Sequence, residues 1–472
     1  MRTSFPTAAL SAALAMMASS AMAEIPAVDW TAQQAETLRH YRALVQIDTG
    51  SPPGNETKAV DYLKSVFEAE DIPVKTFALN PARANLVARI KGNGKKRPIL
   101  LMAHTDVVGV QREKWPVDPF GAVAKDGYIW GRGTSDDKDK LTANLMTMLL
   151  AKRLGAHLDR DIVFLAESGE EADPEGVGIN FMVNQHFDEI DSEFALTEGG
   201  GATIENGRVS VVEIETTEKV PRRARLVATG TSGHGSVPRL DNPLIHLSDA
   251  IARIGAWQTP MRLNETTRLY FEKLASVSPP ENAARYRALL DPAKAQGVQT
   301  YLAEHEPQRY SMLRTSIVPT LLKAGVGPNV IPSEAEATFD IRALPDEDMP
   351  KLFAEMTRII GDSAVTVVPI TANLRPVGPP SRLDSEMYAA LERASKRLYP
   401  GATVLPVMMT GATDMAQLRA KGVQAYGIGP PASESDTINY GAHSDVERLP
   451  ETSLYRLAEF TWSAALDVAA SK

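Results

Sequence analysis

The fold of this chain is decided by an apolar run and the polar residues that end it, Pro98-Ile99-Leu100-Leu101-Met102-Ala103-His104-Thr105-Asp106. A run of this length is typical of a strand buried on both faces in a parallel sheet. Similar runs end close to other acidic residues: 128–133 before Asp136, 162–166 before Glu170 and Glu171, and 194–197 before Glu198. Because open α/β sheets bind ligands beyond the carboxyl ends of their strands, these segments predict one crevice lined by imidazole and carboxylate groups.

The residue types at this predicted crevice favour metal ions. Imidazole nitrogens and carboxylate oxygens are ligands that zinc accepts, and His443 near the C-terminus supplies a second imidazole. The sequence therefore predicts a hydrolase that uses two zinc ions.

Composition sets wider bounds. The 472 residues suffice for two or three domains, and 43% apolar with 23% charged residues is ordinary globular usage. The formal net charge of -9 disfavours nucleic acid or an anionic membrane as a partner. The chain has no cysteine, which excludes disulfides and a thiol nucleophile.

The N-terminus indicates export. Residues 1–23 contain Arg2, an alanine-rich apolar stretch and a final Ala21-Met22-Ala23, which is typical of a secretory signal cleaved after Ala23. The alternative is a disordered or membrane-anchoring N-terminus. No later stretch has the apolar length of a membrane-spanning helix. We therefore expect a periplasmic or secreted protein with no membrane association after cleavage.

The pattern of elements predicts an α/β fold in three stretches after the signal. Residues 24–214 form the first part of a catalytic domain with a mostly parallel sheet, and residues 376–472 form the second part. Residues 215–375 form a smaller α/β sandwich of the ferredoxin-like kind, with strands predicted near 225–228, 334–341 and 364–370 and helices at 243–257 and 349–360. A polar, helix-forming insertion at about 264–312 elaborates this smaller domain.

Five ordered motifs then carry a resemblance to a known family: His104-Thr105-Asp106, Gly131 to Lys138, Ser168 to Glu171, Thr197 to Gly200 and Gly441-Ala442-His443. They resemble the di-zinc exopeptidases and amidohydrolases that include carboxypeptidase S, aminoacylase, glutamate carboxypeptidase, carnosinase, acetylornithine deacetylase and succinyl-diaminopimelate desuccinylase. The carboxypeptidase S-like branch is the most similar. Asp139 departs from the pattern, since many relatives have Gly there.

The resemblance implies a set of metal ligands. Asp136 would bridge two Zn²⁺ ions, His104 and Glu198 would complete one, and Glu171 and His443 the other. A bridging carboxylate holds such ions about 3.5–4 Å apart. Co²⁺ or Mn²⁺ could substitute for zinc.

Two further acids have predicted roles beside these ligands. Asp106 lies two residues beyond His104 on the same side of an extended segment, so we expect its carboxylate to accept the other imidazole N–H. Glu170 precedes a ligand and suits a general base that moves a proton from water to the departing amine. Its alternative is a solvent-exposed acid in a turn.

The smaller domain carries further candidates. By resemblance, His234 closes over the site and stabilises the oxyanion, in some family members from the partner subunit. Arg342 and Asn329 are similar to positions that hold the substrate carboxylate, and Gly411 begins a loop, 411–414, similar to one that lines the substrate site. The alternatives are an incidental histidine in a glycine-rich turn and a strand salt bridge of Arg342.

Together these observations predict a zinc-dependent metallopeptidase or amidohydrolase of the carboxypeptidase, dipeptidase or aminoacylase type. Its substrates would be small peptides or N-acyl amino acids with a free carboxylate. A di-zinc aminopeptidase and a non-catalytic periplasmic binding protein on the same fold are the alternatives. The resemblance also allows a homodimer through the smaller lid/dimerisation domain, which the helical insertion could block.

Overall fold

The computed structural model describes residues 25–172 and 175–471. The predicted signal peptide, residues 1–23, lies outside the described residues. Within them, every helix is too short or too polar to cross a membrane.

Helices and strands alternate along much of the chain. The helices are α1 (Trp30–Val45), α2 (Thr57–Ala69), α3 (Lys138–Arg153), α4 (Ile179–Gln185), α5 (Phe187–Ile190), α6 (Pro243–Ala256), α7 (Glu265–Val277), α8 (Pro280–Leu289), α9 (Ala295–His305), α10 (Pro307–Ser311), α11 (Met349–Ile360), α12 (Glu386–Leu398), α13 (Met415–Ala420), α14 (Glu434–Tyr440) and α15 (Glu451–Ala469). The strands are β1 (Gly50–Ser51), β2 (Val74–Phe77), β3 (Asn85–Ile90), β4 (Ile99–His104), β5 (Val107–Val108), β6 (Val123–Lys125), β7 (Tyr128–Trp130), β8 (Ile162–Glu167), β9 (Phe194–Thr197), β10 (Gly201–Glu205), β11 (Arg208–Glu218), β12 (Val220–Thr229), β13 (Gly233–His234), β14 (Ser316–Ala324), β15 (Val330–Ile331), β16 (Glu334–Ala343), β17 (Val365–Ile370), β18 (Thr403–Met409), β19 (Gln424–Gly427), β20 (Pro431–Ser433) and β21 (Arg448–Pro450).

The main sheet has a parallel centre and antiparallel flanks. Its strand order is β2-β3-β8-β4-β9-β19-β11-β10-β20, with β18 also paired to β11. The central strands β8, β4, β9 and β19 run parallel. At one edge, β3 pairs antiparallel with β8 and β2 pairs antiparallel with β3, and β10 pairs antiparallel with β11. The predicted α/β class is confirmed, with a mixed sheet.

The central strands are apolar on both faces because helices cover both faces. In β4, Ile99 and Leu101 pack into a core with α2, α3 and α15, whereas Leu100 and Met102 pack into a second core with α4 and α13. Each such side chain contributes about 1.5–3 kcal/mol by leaving water. This two-sided burial explains why the strand reads as an uninterrupted apolar run.

One predicted strand of the parallel sheet is wrong. The run at 128–133 contributes only the three residues of β7, which lies in a separate antiparallel sheet of order β21-β7-β6. So short a run is equally compatible with either kind of pairing, and its partner β21 lies more than 300 residues away in sequence. Asp136 therefore reaches the predicted crevice from the loop before α3.

The second sheet is antiparallel, with strand order β14-β16-β12-β17. Helices α6 and α11 pack on one of its faces, around Phe339 and Met356. Helix α11 lies where the sequence predicts it. Asp348 accepts a hydrogen bond from the Lys351 N–H at its start, and Gly361, with a φ of 57°, ends it.

The helical stretch that the sequence assigns to the smaller domain packs against the main sheet. Residues of α7, α8 and α9 form an apolar cluster with Leu405 and Met408 of β18. The sequence pattern identifies the helices but not their packing partner, because amphipathic periodicity does not specify which surface a helix covers.

Gly427 in β19 shows how tightly the strand ends approach each other. A Cβ atom at this position would lie 2.3 Å from the main-chain oxygen of Glu198.

We expect Gly427→Ala to force β19 and β9 apart and to lower the free energy of unfolding by about 1–3 kcal/mol. Urea unfolding followed by circular dichroism measures this change. The matched control is Gly255→Ala in α6, where a Cβ meets no atom within 4 Å and Ala favours the helix. Equal midpoints for the two variants would contradict the prediction.

Candidate metal centre

Polar side chains follow three neighbouring strands of the main sheet, at the carboxyl end of each strand. Strand β4, which ends at His104, lies between β8 and β9. Glu170 follows β8 and Glu198 follows β9. Because the three strands run parallel, their carboxyl ends meet. Ligand atoms of His104, Glu170 and Glu198 all lie within 4.8 Å of one another.

Asp136 lies between two imidazoles and turns one oxygen toward each. Its Oδ1 is 3.0 Å from Nε2 of His104, and its Oδ2 is 3.2 Å from Nε2 of His443. The two imidazoles have one further carboxylate each. Oε2 of Glu198 is 3.9 Å from His104 Nε2, and Oε1 of Glu171 is 3.0 Å from His443 Nε2. The structure thus brings together all five predicted ligands, in two groups that share Asp136.

These distances and donor types fit a pair of cations. Bonds from zinc to nitrogen or oxygen are about 2.0–2.2 Å long, so two donors of one ion lie no more than about 4.4 Å apart. The four distances between these imidazole nitrogens and carboxylate oxygens meet this limit. Nitrogen and carboxylate donors suit zinc and its neighbours among the transition metals.

The carboxylates of the centre favour the protonated form of both imidazoles. Burial opposes protonation of His104, but contacts with Asp106 and Asp136 hold the pKa of its imidazole well above the ordinary value. Hydrogen bonds with Asp136 and Glu171 raise the pKa of His443 to about 10. Burial opposes ionisation of Asp136, yet the two imidazoles hold the pKa of its carboxyl below the ordinary value. A metal ion that binds here would displace the imidazole protons, since only the neutral ring coordinates.

Asp106 anchors the loop after β8. Its carboxylate accepts main-chain N–H groups of Gly169, Glu170 and Glu171 at 2.9, 3.2 and 3.1 Å. The His104 Nδ1 is 2.9 Å from the main-chain oxygen of Asp106 and 3.5 Å from its carboxylate. The Asp106 carboxylate therefore lies at ion-pair distance from the imidazole, while the shorter hydrogen-bond contact is to the main-chain oxygen. The consequence for the imidazole is the same: Nδ1–H is held and Nε2 is left for a ligand role.

Glu170 is enclosed, contrary to the alternative of an exposed acid in a turn. Its side chain is 11% exposed, and its Oε1 accepts a hydrogen bond from Nη2 of Arg375 at 3.0 Å. Nη1 of the same guanidinium lies 3.1 Å from Oδ1 of Asp414. Burial and the charge of Asp414 raise the pKa of Glu170 to about 8. Burial also raises the pKa of Asp414 to about 6, although Arg375 opposes this.

Arg375 is not predicted from the sequence. It belongs to none of the five motifs, and it follows the last strand of the second sheet by a few residues. Asp414 lies in the 411–414 loop that resembles a substrate-lining segment, but its contact with Arg375 has no local signal. Gly411 lies in the same loop, near Met409.

Glu447 is a second unpredicted residue, and it organises the loop that leads to Asp136. This fully buried carboxylate pairs with Nη1 of Arg132 at 2.5 Å. It also accepts N–H groups of Gly133 and Ser135 at 3.2 and 2.8 Å and the Ser135 hydroxyl at 3.1 Å. Because Glu447 is four residues after His443, it links the segments that carry two ligands. Its position beyond the C-terminal motif is the signal that could have identified it.

His234 and Asn329 lie together on the second unit, which comprises the second sheet, helices α6 and α11 and the loops between them. Strand β13 pairs with β15, so that His234 is opposite Val330, and the Gly235 N–H donates to the main-chain oxygen of Asn329 at 2.7 Å. The exposed His234 imidazole contacts the Ser236 hydroxyl at 2.7 Å. Within the described residues, no hydrogen bond or ion pair joins His234 to the metal ligands.

Arg342 forms the strand salt bridge that competes with its predicted role. Its Nε is 3.0 Å from Oδ1 of Asp340, two residues earlier in β16. It lies opposite Pro221 at the start of β12, close to the crossing from the main sheet.

Comparison with known proteins gives a family and a fold. A sequence model described as peptidase family M20/M25/M40 matches residues 100–467. The chain is 30% identical over 343 residues to the probable carboxypeptidase S-like 2 of Dictyostelium discoideum, covering 71% of this chain and 64% of that protein. It is 30% identical over 333 residues to the human N-fatty-acyl-amino acid synthase/hydrolase PM20D1, covering 67% and 64%. The match thus covers less than two thirds of the length of these two relatives.

A solved structure shares the fold. The M20 family metallo-carboxypeptidase Sso-CP2 from Sulfolobus solfataricus superposes with a TM-score of 0.66 at 19% identity, over 92% of this chain and 99% of that chain.

The Glu447 contacts generate a prediction. Glu447→Ala leaves the Arg132 guanidinium buried without its carboxylate, and we expect a loss of about 3–5 kcal/mol in unfolding free energy. Because the loop before Asp136 loses its anchor, zinc affinity should also fall by about 10–100-fold. Urea unfolding and zinc competition against a chelator measure the two effects, with the exposed Glu434→Ala as control. Reduced stability with unchanged zinc affinity would show that Glu447 does not position the ligands.

Proposed function

Since this chain belongs to peptidase family M20/M25/M40, we propose that it is a zinc-dependent hydrolase. It cleaves the amide bond of small peptides or N-acyl amino acids that carry a free carboxylate. The observation that carries the proposal is Asp136, whose two oxygens face two imidazoles that each have a second carboxylate nearby.

The proposed metal ligands follow these contacts. His104 and Glu198 would hold one ion, His443 and Glu171 would hold the other, and Asp136 would contribute one oxygen to each. When bound, the two ions supply polarisation of the scissile carbonyl and a lowered pKa for the attacking water. The identity of the ions as zinc is part of the proposal, and it rests on the nitrogen and carboxylate donors.

Glu170 is the proposed general base. It lies beside the ligands, is shielded from bulk water, and has its main chain held by Asp106 and its carboxylate by Arg375. In this role it takes a proton from the attacking water and delivers it to the nitrogen of the departing amine. Proton transfer of this kind needs a carboxylate held within hydrogen-bond distance of the attacking water, and these two contacts fix the position of the Glu170 carboxylate.

The second unit supplies the proposed substrate contacts. We propose that it closes over the metal centre, so that His234 donates a hydrogen bond to the developing oxyanion. Arg342 and Asn329 then hold the substrate carboxylate, for which the planar guanidinium is well suited. The loop 411–414 is the proposed wall of the site on the main domain.

Two kinds of substrate remain within the proposal. The names of the two relatives refer to a carboxypeptidase and to an N-fatty-acyl-amino acid synthase/hydrolase. These names support a peptide substrate and an N-acyl amino acid substrate respectively.

We also propose that the protein is exported. The support is the signal-like composition of residues 1–23 and the Ala21-Met22-Ala23 site. N-terminal sequencing of protein recovered from outside the cytoplasm should begin at Glu24. An N-terminus that still includes residues 1–23 would contradict cleavage.

A substrate panel tests the activity. We expect zinc-loaded protein to release amine from dipeptides or N-acyl amino acids, to lose this activity on chelation, and to regain it with zinc. Amidation of the substrate carboxylate should abolish cleavage, whereas acetylation of the amino end should not. The reverse pattern would identify an aminopeptidase. Inactivity of folded, zinc-loaded protein on the whole panel would contradict the hydrolase.

A substitution of Glu170 tests its role separately from metal binding. Glu170→Gln should retain the zinc content of the wild type, because Glu170 is not a proposed ligand, while kcat falls by about 10²–10⁴-fold. Zinc content by mass spectrometry and steady-state kinetics measure the two quantities. The matched control, Glu205→Gln, changes an exposed acid in β10 and should leave both unchanged. Undiminished turnover in Glu170→Gln would remove Glu170 from the mechanism.

A further inference from the structure

Arg375 joins two carboxylates that would otherwise face each other. Its Nη2 donates to Oε1 of Glu170 at 3.0 Å, and its Nη1 lies 3.1 Å from Oδ1 of Asp414. The guanidinium side chain is 24% exposed, and the side chains of Glu170 and Asp414 are 11% and 6% exposed. Charge pairs shielded to this degree are screened much less by salt than surface pairs are.

The main chain is held at Arg375 and again farther along the same segment. Arg375 lies in the segment that returns from β17 to the main sheet, and its main-chain oxygen accepts a hydrogen bond from Nη1 of Arg222 at 3.0 Å. Farther along the segment, the Ser381 N–H donates to the Thr216 oxygen at 2.8 Å. These contacts fix the backbone position from which the Arg375 guanidinium extends.

Glu170 has two separate restraints, and Arg375 supplies the one on its side chain. Asp106 accepts the Glu170 N–H at 3.2 Å and so fixes its main chain. This contact leaves the side-chain torsions free. Within the described residues, the hydrogen bond from Arg375 is the contact that orients the Glu170 carboxylate.

We propose that Arg375 is a positioning residue that holds the Glu170 carboxylate in the orientation needed for proton transfer. The inference rests on the proposed function of Glu170 as the base. Arg375 has two carboxylates as partners already, which argues against a direct role in binding the substrate carboxylate. Positioning predicts a loss in kcat with KM little changed, whereas direct substrate binding predicts a rise in KM.

A kinetic double-mutant cycle tests this role. Arg375→Met should lower kcat by about 10²-fold, the cost expected for a misplaced catalytic group. In the Glu170→Gln background the same substitution should change kcat by less than about twofold, because the group that it positions is gone. Arg375→Lys keeps the charge but loses the two-pronged geometry, so its kcat should lie between those of wild type and Arg375→Met. Equal losses in both backgrounds, or a raised KM at unchanged kcat, would overturn the proposal.

The matched control lies in the same returning segment. Arg382 is an exposed arginine paired with Asp384, and Arg382→Met should leave kcat and KM unchanged. If Arg375→Met does not fold, Asp414→Asn serves as the second variant. It removes one partner while the Arg375–Glu170 hydrogen bond stays, so kcat should fall by less than it does in Arg375→Lys. A larger fall would assign the role to Asp414.

A melting experiment on zinc-loaded protein tests the contact without any substrate. Arg375→Met should lower the Tm, and it should lower it less when Glu170→Gln is also present, because a neutral amide is not repelled by Asp414. Equal decreases in both backgrounds would show that Arg375 and Glu170 do not interact in solution. Should the wild type prove inactive on every substrate, the proposed function fails, and this cycle still decides whether the contact exists.

Discussion

The concentration of carboxylates at the carboxyl ends of the central strands is the constraint on which the rest of the structure depends. The ends of β8, β4 and β9 must meet because these strands are parallel neighbours, and the acids that follow them are thereby placed within a few ångströms. Like charges at this distance repel each other strongly when water is excluded. The arrangement is stable only if positive charge or hydrogen-bond donors compensate each carboxylate. The two imidazoles provide part of this compensation, and metal ions would provide more.

Two further buried carboxylates, those of Asp106 and Glu447, fix loops at the same carboxyl ends of the strands. Asp106 accepts three consecutive N–H groups of the loop after β8, and Glu447 accepts N–H groups of the loop before Asp136. Both loops carry groups that must be held with little freedom, and neither loop has regular secondary structure to hold it. A buried acceptor that satisfies several amides fixes such a loop and leaves few main-chain donors unpaired. The main-chain positions of Glu171 and Asp136 are thus set by residues that are not themselves proposed ligands.

The chain divides its proposed chemistry between two units. The metal ligands and Glu170 belong to the main sheet, whereas His234, Asn329 and Arg342 belong to the second sheet and its loops. Arg375 lies in the segment that connects them and reaches Glu170 from there. The helices α7 to α9 interrupt the second unit in sequence but pack on β18 of the main sheet. The second unit is therefore tied to the main sheet by its chain crossings and by this helical stretch.

The five motifs that resemble a known family supplied the residues whose meeting defines the candidate centre. The sequence by itself also determined the α/β class and the central strands. It could do so because strand burial and strand ends are recorded locally: an apolar run such as 99–103 followed by His104 specifies both. Helices such as α11, with Asp348 before it and Gly361 after it, are specified in the same local way. The tertiary structure alone decided the antiparallel pairing of β7, the contact of His104 with the main chain of Asp106, and the partners of Glu447 and Arg375. Arg375 and Glu170 are 205 residues apart in sequence, and Arg132 and Glu447 are 315 apart. A charged residue carries no local record of a partner at such a distance, because its contact exists only once the sheets and their connections have packed.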